Sequence, residues 1–361
     1  MIAIEKLFKK EIRELERVKD TLDERFEYVR LDKNERLLPF REELFNEFKA
    51  GIRSEDLSSY AELGFVYRVL AEYLGIDPEA MLLASGSDLA IKSIYESCVE
   101  RGDNVVLHAP SYAMYRVYAK MFGAEPRMVP VGSDWSLDVP GMLSMVDEKT
   151  KMLVIENPNG FVGSKPSLDE IRECVAFLDK KGVVLLIDEA YLYVENNRSE
   201  TIPLISEYPV MIVSQSLSKG HGLAGARAGY IVGDKEIMKY ISRVRPMHEV
   251  TNLTGLAIEW VIKHPEILNE YQQMVREGKD YLRAEISSLG IPFKDTHTNF
   301  VLFYFPEEGR TKNITQRLKD SMILIRRPFE EPNLKGWCRV CVGTPDDCRR
   351  FVDTLKLLLA R

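Results

Sequence analysis

The stretch Ser214-Gln215-Ser216-Leu217-Ser218-Lys219-Gly220-His221-Gly222-Leu223-Ala224-Gly225-Ala226-Arg227 sets a lysine among small hydroxyls and glycines, eight residues before an arginine. A primary amine in such company suits a lysine that forms a Schiff base beside a bound phosphate, the chemistry of pyridoxal phosphate. A solvated surface lysine is the plain alternative, yet the neighbourhood is poor in other charges and runs into an apparent strand. A phosphate loop ending in Gly-Lys-Ser/Thr does not fit, because here the glycines follow the lysine.

Upstream, the apolar run Val183-Val184-Leu185-Leu186-Ile187 ends in Asp188-Glu189-Ala190-Tyr191. A carboxylate at the C-terminal end of a buried parallel strand lies where α/β sheets place ligands. Asp188 there can pair with a protonated pyridine nitrogen and Tyr191 can reach a ring hydroxyl; an aspartate capping the next helix is the alternative. Ser85-Gly86-Ser87-Asp88 precedes a helical stretch, so its backbone N–H groups and hydroxyls can hold a phosphate at a helix N-terminus. Arg227 and Ser216 would add charge and hydrogen bonds to the same anion. The planar fork of Arg339 suits a carboxylate, and Arg326 and Arg327 can reach a phosphate or a distal acid. His108 and His221 are given no chemical role. Asp188 and Glu189, adjacent on a strand, face opposite ways and do not form a glycosidase pair.

These residues need elements to hold them. Residues 4–27 alternate charges with Leu7, Phe8, Ile12, Leu15, Val18 and Leu22, which predicts one amphipathic helix. From Tyr67 onward helices (Tyr67 to Leu74, Leu89 to Glu100) alternate with strands (Met81 to Leu83, Asn104 to His108), an α/β rhythm. Strands follow at 151–156, 183–187, 210–213 and 229–232, nearly continuous in Val, Ile and Leu, as in a mainly parallel sheet covered on both faces by helices. The pattern changes near Arg245-Pro246. A helical stretch from Leu253 to Leu289 then leads to strands at 299–305, 323–326 and 338–342, a helix at 313–320 and a closing helix from Pro345. Residues 46–245 are expected to form the large domain, and 246–361 a smaller α+β domain joined by segment 1–45.

Composition narrows the partners. A formal net charge of −7 and a pI near 5.5 argue against a broad electrostatic grip on nucleic acid or an anionic membrane and favour a small diffusible partner. Five cysteines, an odd number, read as reduced packing thiols, and no metal site is expected. The N-terminus has no apolar signal region and nothing approaches the ~20 apolar residues of a membrane span, so cytoplasm is the expected location.

Taken in order, Leu31-Asp32-Lys33-Asn34-Glu35, Gly86-Ser87-Asp88, Pro110-Ser111-Tyr112-Ala113-Met114-Tyr115, Asn157-Pro158-Asn159, Asp188 to Tyr191, Ser216 to Arg227, Asn299-Phe300 and Arg339 to Pro345 span nearly the whole chain. So arranged, the chain resembles the fold-type I pyridoxal-phosphate enzymes of the class I/II aminotransferases, nearest the histidinol-phosphate aminotransferase-like branch. The resemblance implies an aspartate-aminotransferase-like fold in which Lys219 carries the cofactor and moves a proton between substrate Cα and cofactor C4′. Asp188 would pair with the ring nitrogen, Tyr191 with the ring oxygen, and Tyr112 would stack on the ring face. Gly86, Ser87, Asp88, Ser216, Ser218 and Arg227 would surround the phosphate, joined by Tyr60 from a second subunit, which implies a homodimer. Arg339 would hold the substrate α-carboxylate, with Asn34 and Arg326 on the same side.

Two departures stand out. Relatives commonly read Asn-Pro-Asn-Asn-Pro-Thr-Gly where this chain has Asn157-Pro158-Asn159-Gly160-Phe161-Val162-Gly163. The loop asparagine that meets the ring hydroxyl is thus Gly160, so either Asn159 takes that role or Tyr191 bears it alone. Arg36-Leu37-Leu38-Pro39-Phe40 also replaces the usual residues after Asn34-Glu35 at the substrate entrance. The expected activity is transfer of an amino group from a donor such as glutamate to a keto or aldehyde acceptor, a small phosphorylated carbonyl compound among the choices. A decarboxylase of a phosphorylated amino acid and a non-catalytic ligand-binding protein are the alternatives.

Overall fold

The computed structural model describes residues 4–15, 24–307 and 309–360. Its strands are β1 (Val29–Leu31), β2 (Met81–Ser85), β3 (Asn104–Ala109), β4 (Glu125–Pro130), β5 (Thr150–Glu156), β6 (Val184–Asp188), β7 (Met211–Ser216), β8 (Ala228–Gly233), β9 (Phe293–Lys294), β10 (Phe300–Tyr304), β11 (Ile323–Ile325) and β12 (Trp337–Cys341). Seven of them form one sheet in the order β2-β8-β7-β6-β5-β3-β4. The sheet is mainly parallel; β8 alone runs antiparallel to both neighbours, β2 and β7.

The continuous apolar runs explain the sheet's central position. In β6, Leu185 and Ile187 join the core on one face while Leu186 joins the core on the other, so both faces of the strand are buried. The helix Leu168–Asp179 covers the first face with Ile171, Cys174, Val175 and Leu178, and opens on a Ser167–Glu170 capping box. The helix Gly86–Cys98 covers the second with Ala90, Ile91, Ile94 and Tyr95. Each large aliphatic group so buried contributes roughly 1.5–3 kcal/mol. Strand β4 was not expected from the sequence; Pro126 and Pro130 suit its position at the sheet edge, where only one side needs donors.

A second core gathers around β10, β11 and β12 and the helices Pro265–Ser288, Arg310–Asp320 and Pro345–Leu359. Here β1 pairs in parallel with β11, and β12-β10-β9 form a small antiparallel sheet. The helical stretch expected over Leu253–Leu289 is two helices, Asn252–Lys263 and Pro265–Ser288. Pro265 has no N–H and pushes His264 out of the helical region, to φ −116° and ψ 73°. The first of these helices packs Ile258, Trp260 and Val261 into the core of the large sheet. The amphipathic helix expected over 4–27 is instead a 3-10 turn (Ile4–Leu7), a single helical turn (Lys10–Arg13) and a 3-10 turn (Arg25–Glu27), with 16–23 outside the described residues. All five cysteines are free, including Cys338 and Cys341 at Cys-x-x-Cys spacing on β12. Among the described residues no helix is long and apolar enough to cross a membrane.

Candidate active site

The parallel strands deliver their C-terminal residues to one edge of the sheet: Glu156 on β5 is in register with Asp188 on β6, and Asp188 with Ser214 on β7. A cavity of ≈ 560 Å³ opens there, lined by Lys219, Asp188, Tyr191, Arg227 and Arg339. Asn34, Ser87, Asp88, Tyr112, Ser216, Ser218 and Arg326 line it as well, so twelve residues drawn from distant parts of the sequence meet in one place.

At one end the helix Gly86–Cys98 begins with no side-chain cap on its first N–H groups. Arg227 lies against this helix start, in the left-handed region at φ 55°. Gly86 has φ +78°, and a Cβ there would stand 2.5 Å from Arg227 Nη2; a Cβ at Gly229 would stand 2.7 Å from Ser87 N. Glycine at both positions therefore lets the guanidinium and a helix N-terminus approach one point, an arrangement suited to an anion. Ser216 Oγ and the Ser218 N–H, 3.2 Å apart, close the same end.

The floor is acidic. Asp188 is 5 % exposed, its Oδ1 accepts from the Ala190 N–H at 2.9 Å and its Oδ2 from the Tyr115 hydroxyl. Burial pushes its carboxyl up to about 7, opposed by the Tyr115 hydrogen bond and aided by the neighbouring Glu156. A cation brought beside it would restore the charged form. Tyr191 is oriented by Asn34, whose Nδ2 donates to the Tyr191 hydroxyl at 2.6 Å. Asn34 is 1 % exposed, lines the cavity, and through this bond fixes the Tyr191 hydroxyl. Tyr112, half-exposed above the floor, stands edge-on to Tyr115 with ring centroids 5.9 Å apart.

Lys219 reaches from the β7–β8 connection and donates through Nζ to Lys33 O at 3.0 Å. Burial lowers its pKa to about 8, with the positive charge of Arg339 acting in the same direction. An amine so placed is partly neutral near physiological pH and able to act as nucleophile or base. Arg339, 8 % exposed, donates to Gly160 O at 2.7 Å and to Asp32 O at 3.2 Å, while its Nε is buried without a hydrogen bond. Arg326 lies over the rings of Phe329 and Phe161, and burial, then the Arg339 charge, lower its pKa to about 9.

Some expected residues stand elsewhere. Asn159 is 2 % exposed; its Nδ2 donates to Pro110 O and its Oδ1 accepts from the Phe161 and Val162 N–H groups. Its amide therefore holds the loop and is not free to replace a side chain at Gly160. Tyr60 is 82 % exposed, stacked on His248, and does not line this cavity of its own chain. Arg327 and His221 do not line it either. Sequence reasoning missed Glu156, a buried carboxyl in the cavity wall, and Tyr115, the partner of Asp188; the position of Tyr115 one helical turn after Tyr112 was the available signal.

The donor set fits pyridoxal phosphate: an uncapped helix start and Arg227 for a phosphate, a buried acid for a ring nitrogen, and an amine with lowered pKa for a carbonyl. A family model described as aminotransferase class I and II matches residues 60–355. The histidinol-phosphate aminotransferase of Symbiobacterium thermophilum is 31% identical over 291 residues, covering 80% of this chain and 79% of that protein. That of Clostridium novyi is 25% identical over 361 residues, covering 98% and 97%. In fold, the chain superposes on the histidinol-phosphate aminotransferase from Sinorhizobium meliloti in complex with pyridoxal-5'-phosphate with a TM-score of 0.87 at 22% identity, covering 97% and 98%. It also superposes on the L-threonine-O-3-phosphate decarboxylase from Porphyromonas gingivalis, with a TM-score of 0.77 at 20% identity, covering 92% and 100%.

Proposed function

The chain belongs to the class I and II aminotransferases and is a pyridoxal-phosphate-dependent transferase; on that premise we propose that it moves an amino group from an amino acid such as glutamate to a small phosphorylated carbonyl compound. The observation that carries this is the single cavity holding Lys219, Asp188, Arg227 and Arg339 together. Pyridoxal phosphate, when bound, supplies an electron-poor ring that accepts the electron pair of the substrate Cα–H bond.

The chain's own groups do the rest. The helix start at Gly86 and the guanidinium of Arg227 would hold the phosphate, Asp188 would hold negative charge for the ring nitrogen, and Tyr112 would shield the ring from water. Lys219 Nζ takes the proton from substrate Cα, for which its lowered pKa suits it. The fork of Arg339 fixes the α-carboxylate and so sets which Cα bond stands across the ring. Arg326, on the same wall, meets the distal phosphate of the substrate. The histidinol-phosphate aminotransferases among the relatives support a phosphorylated acceptor.

The enzyme works as a homodimer in the cytoplasm, with Tyr60 acting in the partner's cavity; its exposure on this chain supports that reading. The large domain takes in the helix Asn252–Lys263, which packs on the core of the large sheet, and the small one is built around β10, β11 and β12 with β1, a division supported by the β1–β11 pairing. The deciding experiment screens amino donors against holo-protein by the visible spectrum and identifies the product by mass. Loss of the cofactor's carbonyl-form band with formation of a keto acid is expected. Carbon dioxide release without a keto acid would replace transamination by decarboxylation.

A further inference from the structure

Glu156 is a buried acid, 4 % exposed, in the wall of the cavity. Its two oxygens each accept one backbone N–H: Oε1 from Tyr112 at 2.5 Å and Oε2 from Gly160 at 2.8 Å. The groups facing it offer no counter-charge. His108 on β3 lies 4.0 Å from Oε1, but burial pushes that imidazole down to about 4, and its Nε2 accepts from the Glu156 N–H. From β6 comes Asp188, a like charge in register with it, and Tyr112 and Tyr115 face it from the helix Ala113–Met121 and the residue before. Arg339 on β12 points its Nη1 at Gly160 O. Burial, against the two backbone hydrogen bonds, raises the Glu156 carboxyl to about 7. Once a ring cation fixes the charge of Asp188, the repulsion between two neighbouring carboxylates leaves the proton on Glu156.

Gly160 lets the walls close in at this place. A Cβ there would stand 3.0 Å from Tyr191 Cε2 and 3.4 Å from Glu156 Oε2, so the Tyr191 ring and the Glu156 carboxyl crowd the position where a side chain at 160 would begin. Asn159 cannot supply the missing group, because its amide is held by the loop and by Pro110 O. We propose that Glu156 acts in place of the side chain absent at Gly160, its carboxyl O–H donating a hydrogen bond to the cofactor's ring oxygen beside Tyr191. The assignment rests on the cavity holding pyridoxal phosphate, as argued above.

The test reads the pH midpoint of the visible band of the bound cofactor in holo-protein, a property of the folded fraction that does not depend on yield or turnover. A donor draws negative charge off the ring oxygen, and that charge steadies the proton on the Lys219 nitrogen. Removing the donor therefore raises the midpoint. Glu156→Ala is expected to raise it by about one pH unit, and Glu156→Gln, which keeps an N–H donor but gives up one of the two acceptors facing the backbone N–H groups, to raise it by about half a unit or less. An unchanged midpoint in Glu156→Ala overturns the assignment, as does a fall of about one unit in Glu156→Gln, which would mark Glu156 as a charge and not a donor. Failure of the parent protein to develop any band with pyridoxal phosphate would remove the cofactor reading itself, and this assignment with it.

Discussion

At the scale of single residues the site is governed by burial of charge. Free of cofactor, Asp188 carries a carboxyl raised to about 7, so the folded chain holds a proton there that the unfolded chain releases near pH 4. The stability this confers is present at low pH and lost as pH rises through about 7. His108 and His221, lowered to about 4 and about 3 by burial, act with the opposite sign, so the clean measurement is a difference. In urea titrations of cofactor-free protein, Asp188→Asn should gain on the parent as pH rises from about 4 to about 7, by at most ~1.4 kcal/mol per unit, with no further gain above. Arg339→Lys replaces a planar fork by a point charge; steady-state kinetics should show kcat/KM for the amino donor falling about 10²-fold. Lys219, Asp188, Tyr191, Arg227 and Arg339 were legible as members of one site because they occur in order along the chain with the other segments that carry the family resemblance, whereas each alone has an ordinary structural alternative. Glu156 was not, since the last letter of an apolar strand reads as a solvated end until the N–H groups of Tyr112 and Gly160 are known to enclose it.

At the scale of elements, the proposed phosphate end depends on two glycines that let the Gly86–Cys98 helix and Arg227 share a point. Gly86→Ala forces both a positive φ and the displacement of the guanidinium, 2.5 Å from the added methyl. A loss of about 1–3 kcal/mol in urea unfolding and a weaker pyridoxal phosphate dissociation constant by spectral titration are expected. Gly75→Ala is the control, since Gly75 has φ +69° with nothing within 4 Å and carries only the backbone cost. Most strands of the large sheet were readable as apolar runs. Their mainly parallel arrangement was readable too, from runs buried on both faces; the exception was not, since β8 turns back beside β7 through the connection 217–227. The edge strand β4 was hidden by its prolines, and the division of 252–288 into two helices was hidden by continuous amphipathic spacing through Pro265.

At the scale of the molecule, the proposed homodimer predicts complementation. If Tyr60 serves the partner's cavity, a hybrid of one Tyr60→Ala subunit and one Lys219→Ala subunit contains one cavity with both residues intact. Mixing and refolding the two variants should restore about a quarter of parent activity, measured against each homodimer alone, with half the subunits paired as hybrids and one working site in each. The chain's fold class was legible as a whole, whereas the meeting of its two cores at one cavity was not, because no local pattern encodes contacts between residues hundreds of positions apart. That separation also bears on how the protein is made. Ser87, Asp188, Lys219 and Arg227 all lie between β2 and β8, but Arg339 finds Asp32 O across 307 residues. A chain emerging from the ribosome thus holds its own proposed phosphate and ring residues well before the arginine proposed to bind a carboxylate exists. Ribosome-stalled chains ending after β8 would be candidates to capture the cofactor, while recognition of the amino acid waits for nearly the last residues to be synthesised.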